Sequence, residues 1–121
     1  MNYDPVFDKW HEECGVFGVY DRTVDVARYV YWGLFALQHR GQESAGIAVT
    51  DGHDVELKKG MGLLTEAIKE LPSLPSYMGT GHVRYSTTGS NNPRNIQPLV
   101  IHYQGGQIAV AHNGNLTNAL S

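Results

Sequence analysis

The amino-acid sequence predicts an α+β fold in which helices pack on mainly antiparallel sheet. Short runs rich in Val, Ile, Tyr and Phe alternate with turn-forming residues, which is typical of strands joined by hairpins. One segment with helical periodicity lies between the first and second of these runs. The predicted order is strand, helix, hairpin, short helix, strand and hairpin, and this order favours layers of helix and sheet.

The first strand is predicted in CGVFGVYD, residues 14–21, where Gly15 and Gly18 interrupt the β-forming residues. Glycine weakens a strand, and its usual compensation is the close approach of another backbone or a ligand. We therefore expect a close neighbour along this strand.

The helix is predicted over residues 24–39, because apolar side chains recur at helical spacing. These side chains are Val26, Val30, Leu34 and Leu37. Asp21 and Thr23 are candidates for the N-cap, and Gly41 is the expected stop signal.

Turn-forming residues indicate where the remaining strands and the second helix begin and end. Asp51-Gly52 predicts a hairpin between SAGIAVT and VELKKG, and Gly105-Gly106 predicts another between LVIHYQ and QIAVAHNG. Between the hairpins, TEAIKEL (residues 65–71) predicts a short helix that ends before Pro72, and TGHVRYST (residues 80–87) predicts a strand.

Composition narrows the classes of function. The chain has 121 residues, 41% of them hydrophobic, and a formal net charge of −3, which provides no basic surplus for nucleic acid. No stretch reaches the ~18 apolar residues that cross a membrane, and residues 1–13 lack the apolar core of a secretion signal. A single cysteine cannot form an internal disulfide, which predicts a reducing cytoplasm.

That cysteine, Cys14, has more than one interpretation. A lone cysteine is commonly a small buried apolar residue. Gly15 would instead give a substrate access to a nucleophilic thiolate, and removal of residues 1–13 would free an α-amino group, with a reference pKa of ~7.7–8.0, to act as its base. A zinc site that includes His11 and Cys14 is a third possibility, although no second closely spaced ligand pair follows.

Four motifs together resemble the glutaminase domain of the glutamine phosphoribosylpyrophosphate amidotransferase family, also called amidophosphoribosyltransferases. They are ECGVFGV, LQHRGQESAGI, GHVRYSTTG and AHNGNL, in the order of the family. The resemblance implies an N-terminal-nucleophile hydrolase fold, a four-layer sandwich with helices over two mainly antiparallel sheets, incomplete in this chain. It implies that residues 1–13 are a propeptide and residues 14–121 a partial glutaminase domain.

The resemblance also implies the catalytic residues. Cys14 would attack the side-chain amide of glutamine and release ammonia. The side-chain amide of Asn113 and the backbone N–H of Gly114 would form the oxyanion hole.

Substrate-binding roles follow from the same motifs. Arg84 would hold the α-carboxylate of glutamine, a task that suits a planar, permanently charged guanidinium. Arg40 and Gly41 would line the pocket of the nucleophile, and Thr87 and Gly89 would contact the backbone of glutamine.

The family's other parts are expected beyond residue 121. They are an aspartate that binds the α-amino group of glutamine and a phosphoribosyltransferase domain that uses the ammonia in the first step of purine synthesis. That domain would use Mg²⁺ with phosphoribosylpyrophosphate, and many members with a propeptide carry an iron–sulfur cluster. HNGNLTNALS resembles the first turn of a helix without a stop signal, so the sequence predicts that the domain continues. The family also implies a homo-oligomer.

Two alternatives stay open. A glutaminase of the glucosamine-6-phosphate synthase type is disfavoured by the leader and by Gln42-Glu43, where that family usually has Tyr-Asp. The chain could also be an unprocessed module without catalytic activity.

Overall fold

The computed structural model describes residues 15–38, 42–85 and 96–112. Six strands and two helices in these ranges follow the predicted order. They are β1 Gly15–Tyr20, α1 Val26–Leu37, β2 Gln42–Thr50, β3 Val55–Met61, α2 Leu64–Ala67, β4 Met78–Tyr85, β5 Leu99–Tyr103 and β6 Gly106–Val110. The predicted α+β class is confirmed, and so are both hairpins.

The strands form two antiparallel sheets. The larger sheet has the order β1-β4-β2-β3, and the smaller one pairs β5 with β6. In the larger sheet, Val83 of β4 pairs with Gly15 on one side and with Ala45 on the other. Because both neighbours of β4 run antiparallel to it, the beginnings of β1 and β2 lie beside the end of β4.

One face of the larger sheet is covered by α1. Three of the four predicted helix positions, Val26, Val30 and Leu34, are fully buried, while Leu37 is 37% exposed. A β-carbon at Gly81 of β4 would lie only 2.6 Å from Leu34 Cδ1 and 2.7 Å from Val30 Cγ1. Glycine on the central strand therefore lets the helix come close enough for its apolar side chains to fill the space.

The ends of α1 differ from the prediction. Asp25 is the N-cap, and its Oδ1 accepts a hydrogen bond from the N–H of Arg28 at 3.4 Å. Asp21 instead accepts hydrogen bonds from the N–H and the hydroxyl of Thr23, so these two residues close a turn before the helix. The helix ends at Leu37 with an extended Gln38, so the stop lies before Gly41.

The second helix is shorter than predicted and begins one residue earlier. α2 ends at Ala67, and Ile68 adopts an extended conformation. Ile68 is only 4% exposed and belongs to the same apolar core as Leu64. The chain leaves the helix early because burial of Ile68 outweighs helix propensity in the segment that follows.

The two glycines of β1 have different surroundings. A β-carbon at Gly15 would lie 3.0 Å from Leu37 Cδ1 and 3.1 Å from Val83 Cγ2, so its close neighbours are side chains and not the predicted backbone or ligand. At Gly18 the nearest atom would be the carbonyl oxygen of Gly79 at 3.8 Å, which is ordinary contact.

The opposite face of the larger sheet carries the segment 96–98. A β-carbon at Gly46 would overlap the carbonyl oxygen of Gln97 and would lie 2.9 Å from Pro98 Cδ. Lys59 Nζ donates a hydrogen bond to the carbonyl oxygen of Ile96 at 2.9 Å. These contacts hold the segment 96–98, which precedes the smaller sheet, against the larger sheet.

His82 of β4 makes a second connection between the layers. It is 1% exposed, and its Nε2 lies 3.2 Å from the carbonyl oxygen of His112. A carbonyl oxygen only accepts, so Nε2 carries the proton. Burial lowers the pKa of His82 to about 4, against the opposing effect of this hydrogen bond and with smaller contributions from the charges of His112 and Arg84.

A cleft of about 600 Å³ separates the sheets at the end remote from Arg84, with Tyr20, Met78 and Ile108 among its lining residues. The smaller sheet also exposes apolar side chains, namely Leu99, Ile101, Tyr103, Ile108 and Val110. Neither helix in the described ranges is long and apolar enough to cross a membrane.

The contact at Gly46 predicts a large effect of a single methyl group. Gly46→Ala should lower the free energy of unfolding by about 1–3 kcal/mol, because the methyl group would meet backbone atoms of Gln97. Gly18→Ala is the matched control and should change stability by less than about 1 kcal/mol. Urea unfolding of both variants measures the difference, and equal effects would contradict the proposed contact.

His82 predicts a pH dependence of stability. His82 binds a proton near pH 6.5 in the unfolded state but only near pH 4 in the folded state. The free energy of unfolding is therefore highest above pH 6.5, and it falls as the pH drops through this window. The loss should reach up to about 3 kcal/mol. Urea unfolding between pH 7 and 4.5 should show a shallower decline in His82→Gln than in wild type. His53→Gln, at an exposed position, should keep the wild-type slope.

Candidate functional site

Segments from four parts of the chain meet at one end of the larger sheet. Gly15 begins β1, Gln42 begins β2, and Arg84 lies near the end of β4. Gly15 pairs with Val83, and Gln42 pairs with Tyr85, so both strands start beside the residues that flank Arg84. His112, which follows β6, reaches the same strand through His82.

Arg84 is positioned by an irregularity in β2. Ser44 pairs with Arg84, but Gln42 pairs with Tyr85, so Glu43 is an extra residue on its strand. Such a bulge re-aims side chains. Glu43 Oε2 lies 3.7 Å from Arg84 Nε, and the two side chains are only 13% and 19% exposed. This carboxylate restrains the guanidinium from its Nε side, in surroundings with little water.

Hydrogen bonds connect the backbone around Arg84 to neighbouring elements. The hydroxyl of Tyr85 donates to the carbonyl oxygen of Leu37 at 2.7 Å, which joins the end of β4 to the end of α1. Gln42 Nε2 donates to the carbonyl oxygen of Gly62 at 3.1 Å, and the N–H of Gly62 donates to the carbonyl oxygen of Glu43 at 2.7 Å. The bulge is therefore supported from the β3–α2 connection.

The backbone of His112 is held on both sides. Its N–H donates to Gln97 Oε1 at 2.7 Å, and its carbonyl oxygen accepts from His82 Nε2. Gln97 also contacts Gly46 through its backbone. The position of His112 therefore depends on both the segment 96–98 and the central strand of the larger sheet.

Of the predicted site residues, the structure describes Arg84. The others lie outside the described residues, and their roles stay predictions: Cys14, Arg40, Gly41, Thr87, Gly89, Asn113 and Gly114. The described part nevertheless contains residues bonded to three of them, because Gly15 follows Cys14, Gln42 follows Gly41 and His112 precedes Asn113.

The alternative zinc site also falls outside the described residues, since both His11 and Cys14 do. Within the described ranges, no three side chains of the metal-binding types cluster together.

Sequence reasoning missed Glu43, His82 and Gln97 as parts of the site. Glu43 and His82 lie inside the quoted motifs, and His82 is two residues before Arg84, on the same side of a strand. That spacing is a signal that could have identified His82. Gln97 has no such signal, because its role depends on the contact between Gly46 and the segment 96–98.

Known proteins match this chain over most of its length. Amidophosphoribosyltransferase of Methanocaldococcus jannaschii is 51% identical over 109 residues, which is 88% of this chain and 23% of the relative. The enzyme of the same name from Synechococcus elongatus is 50% identical, over 93% of this chain and 23% of the relative. The chain thus spans about a quarter of the length of these relatives.

A solved structure has the same fold. Glutamine phosphoribosylpyrophosphate amidotransferase from B. subtilis, complexed with ADP and GMP, matches with a TM-score of 0.74 and 44% identity, over 86% of this chain and 22% of that one. The predicted resemblance and the incomplete sandwich of helices and two antiparallel sheets are confirmed. The family model of class-II glutamine amidotransferases matches residues 37–121, more than half of the chain. The chain therefore belongs to the class-II glutamine amidotransferases.

Proposed function

We propose that this domain hydrolyses the side-chain amide of glutamine with Cys14 as an N-terminal nucleophile. The observation that carries the proposal is that β1 and β2 begin beside the end of β4, where Arg84 lies, and that His112 is hydrogen-bonded to His82 of the same strand. A nucleophile, a carboxylate clamp and an oxyanion hole from distant parts of the chain need this kind of convergence.

The proposed reaction begins when the propeptide, residues 1–13, is removed. The thiol of Cys14 passes its proton to the freed α-amine, and the sulfur attacks the amide carbon. The amine returns the proton to the nitrogen of the tetrahedral intermediate, the C–N bond breaks, and ammonia departs to leave a thioester. Water then hydrolyses the thioester, which gives glutamate and restores the thiol.

Arg84 binds the α-carboxylate of glutamine in this proposal. Its side chain is 19% exposed, so a carboxylate that reaches it exchanges water for a charge-assisted hydrogen bond. Glu43 faces Nε, and in this proposal the two terminal amino groups of the guanidinium bind the carboxylate in a bidentate contact. The ion pair restrains the arginine before the substrate arrives, which lowers the cost of ordering it.

The oxyanion that forms during attack is stabilised by Asn113 and Gly114. A preorganised donor of this type commonly lowers the barrier by ~3 kcal/mol. The position of the preceding residue supports this role, because His112 is hydrogen-bonded to the strand that carries Arg84. Arg40 and Gly41 complete the pocket of the nucleophile, and Thr87 and Gly89 contact the glutamine backbone.

In a protein of the relatives' full length, the ammonia supplies a phosphoribosyltransferase domain. That domain converts phosphoribosylpyrophosphate to 5-phosphoribosylamine, with Mg²⁺, in the first step of purine synthesis. An iron–sulfur cluster, self-association and a cytoplasmic location are further expectations from the family.

The sequence leaves two other functions open. A glutaminase of the glucosamine-6-phosphate synthase type would deliver ammonia to a sugar phosphate, and assays with each acceptor separate the two enzymes. An unprocessed module without activity would keep residues 1–13, and intact mass detects them.

Replacement of Cys14 by alanine tests the nucleophile. In a processed protein of full length, Cys14→Ala should abolish glutamine-dependent formation of phosphoribosylamine, because no thioester can form, and should spare the ammonia-dependent reaction. The wild-type control should have the intact mass of a chain that begins at Cys14. Equal loss of both activities, or retention of the glutamine-dependent one, would contradict the assignment.

Replacement of Arg84 tests the carboxylate clamp. Arg84→Lys should raise the KM for glutamine about 10–100-fold, because a point charge replaces a bidentate fork. Glu43→Gln should raise it less, about 3–10-fold, because the guanidinium loses its restraint. Steady-state kinetics measure both effects. Glu56→Gln, whose carboxylate binds the backbone N–H groups of Ser73 and Leu74, is the matched control and should leave KM unchanged.

A further inference from the structure

We infer that His82 is a positioning residue that fixes, through the carbonyl of His112, the peptide bond leading into the oxyanion hole. This inference rests on the proposed function, in which Asn113 and Gly114 supply the oxyanion donors. His82 touches neither the substrate nor the reacting atoms in this scheme. It acts on the backbone from which those donors extend.

The first observation is the contact itself. His82 Nε2 donates to the carbonyl oxygen of His112 at 3.2 Å, and this carbonyl belongs to the peptide bond that joins His112 to Asn113. A peptide bond is planar, so the direction of its carbonyl restricts the direction of the whole unit. A hydrogen bond to the carbonyl therefore orients the start of the segment that bears the donors.

The second observation is that the same residue is held from its other side. The N–H of His112 donates to Gln97 Oε1 at 2.7 Å. With both backbone groups of His112 bonded, rotation at this residue would break at least one partly buried hydrogen bond. Preorganisation of this kind is what an oxyanion hole requires, because its donors must be in place before charge develops.

The third observation concerns the state of the imidazole. His82 is 1% exposed, and Nδ1 has no hydrogen-bond partner among the described residues. Arg84 follows two residues later on the same strand, and its charge disfavours a second positive charge nearby. The ring therefore stays neutral at pH 7 with its proton on Nε2. A neutral ring can orient the carbonyl without adding a charge that would compete with Arg84 for the carboxylate of glutamine.

This role places His82 and Glu43 on two separate parts of the site. Glu43 contacts Arg84 and so affects glutamine binding, whereas His82 contacts His112 and so affects the chemical step. Loss of His82 should consequently lower kcat with little change in KM, the reverse of the effect expected for Arg84 and Glu43.

A matched pair of variants tests the inference in a protein of the relatives' full length that carries this domain. Gln and Met have similar length, but only Gln can donate a hydrogen bond. His82→Met should lower kcat for glutamine hydrolysis about 10–100-fold while the KM for glutamine stays within about 3-fold and the ammonia-dependent reaction is unchanged. His82→Gln should keep at least about a tenth of the wild-type kcat and exceed His82→Met.

Thr80→Val is the control for general disturbance of β4. Its hydroxyl donates to the carbonyl oxygen of Phe17 at 3.3 Å, on the same side of the strand as His82 but farther from Arg84. This variant should leave kcat unchanged. Loss of kcat in Thr80→Val equal to that in His82→Met would overturn the inference, and so would equal kcat in His82→Met and His82→Gln.

If His82→Met does not fold, His82→Gln decides alone, since a kcat below about a tenth of wild type would overturn the role of the donor. Failure of the proposed function is distinguishable, because it would appear as retention of glutamine hydrolysis in Cys14→Ala.

Discussion

The antiparallel pairing of β4 with both β1 and β2 is the constraint on which the rest of the structure depends. Because both neighbours run against it, the end of β4 lies beside the beginnings of the other two strands. Backbone hydrogen bonds between the strands thus bring three residues to one end of the sheet. They are Arg84, the residue after Cys14 and the residue after Gly41. The glycines of β4 permit this, since Gly79 and Gly81 let α1 pack closely on the strand.

Much of this arrangement could be predicted from the sequence. The periodicity of α1 identified Val26, Val30 and Leu34 as core residues, and Asp51-Gly52 marked a hairpin that the structure confirms. The family motifs predict a role in the site for Arg84, which lies near the end of β4 where β1 and β2 begin. These features depend on a local sequence pattern or on a family motif that is present in the sequence.

Other features depend on contacts that no local pattern encodes. The N-cap of α1 was misassigned because Asp21 and Asp25 are both good caps, and only the bond between Asp21 and Thr23 decides between them. The early end of α2 reflects burial of Ile68. Glu43 gains its place in the site from a bulge, and Gln97 from a backbone contact across two layers. Each requires knowledge of which segments meet.

The described part of the site belongs to two layers that differ in their number of strands. Arg84 and Glu43 sit in a four-stranded sheet whose core includes α1, whereas His112 follows a two-stranded sheet with several exposed apolar side chains. Two strands alone are only marginally stable, so the smaller layer should open more often than the larger one. A molecule that contacts both layers at once would bind the closed form preferentially, and its occupancy would then suppress these fluctuations by mass action.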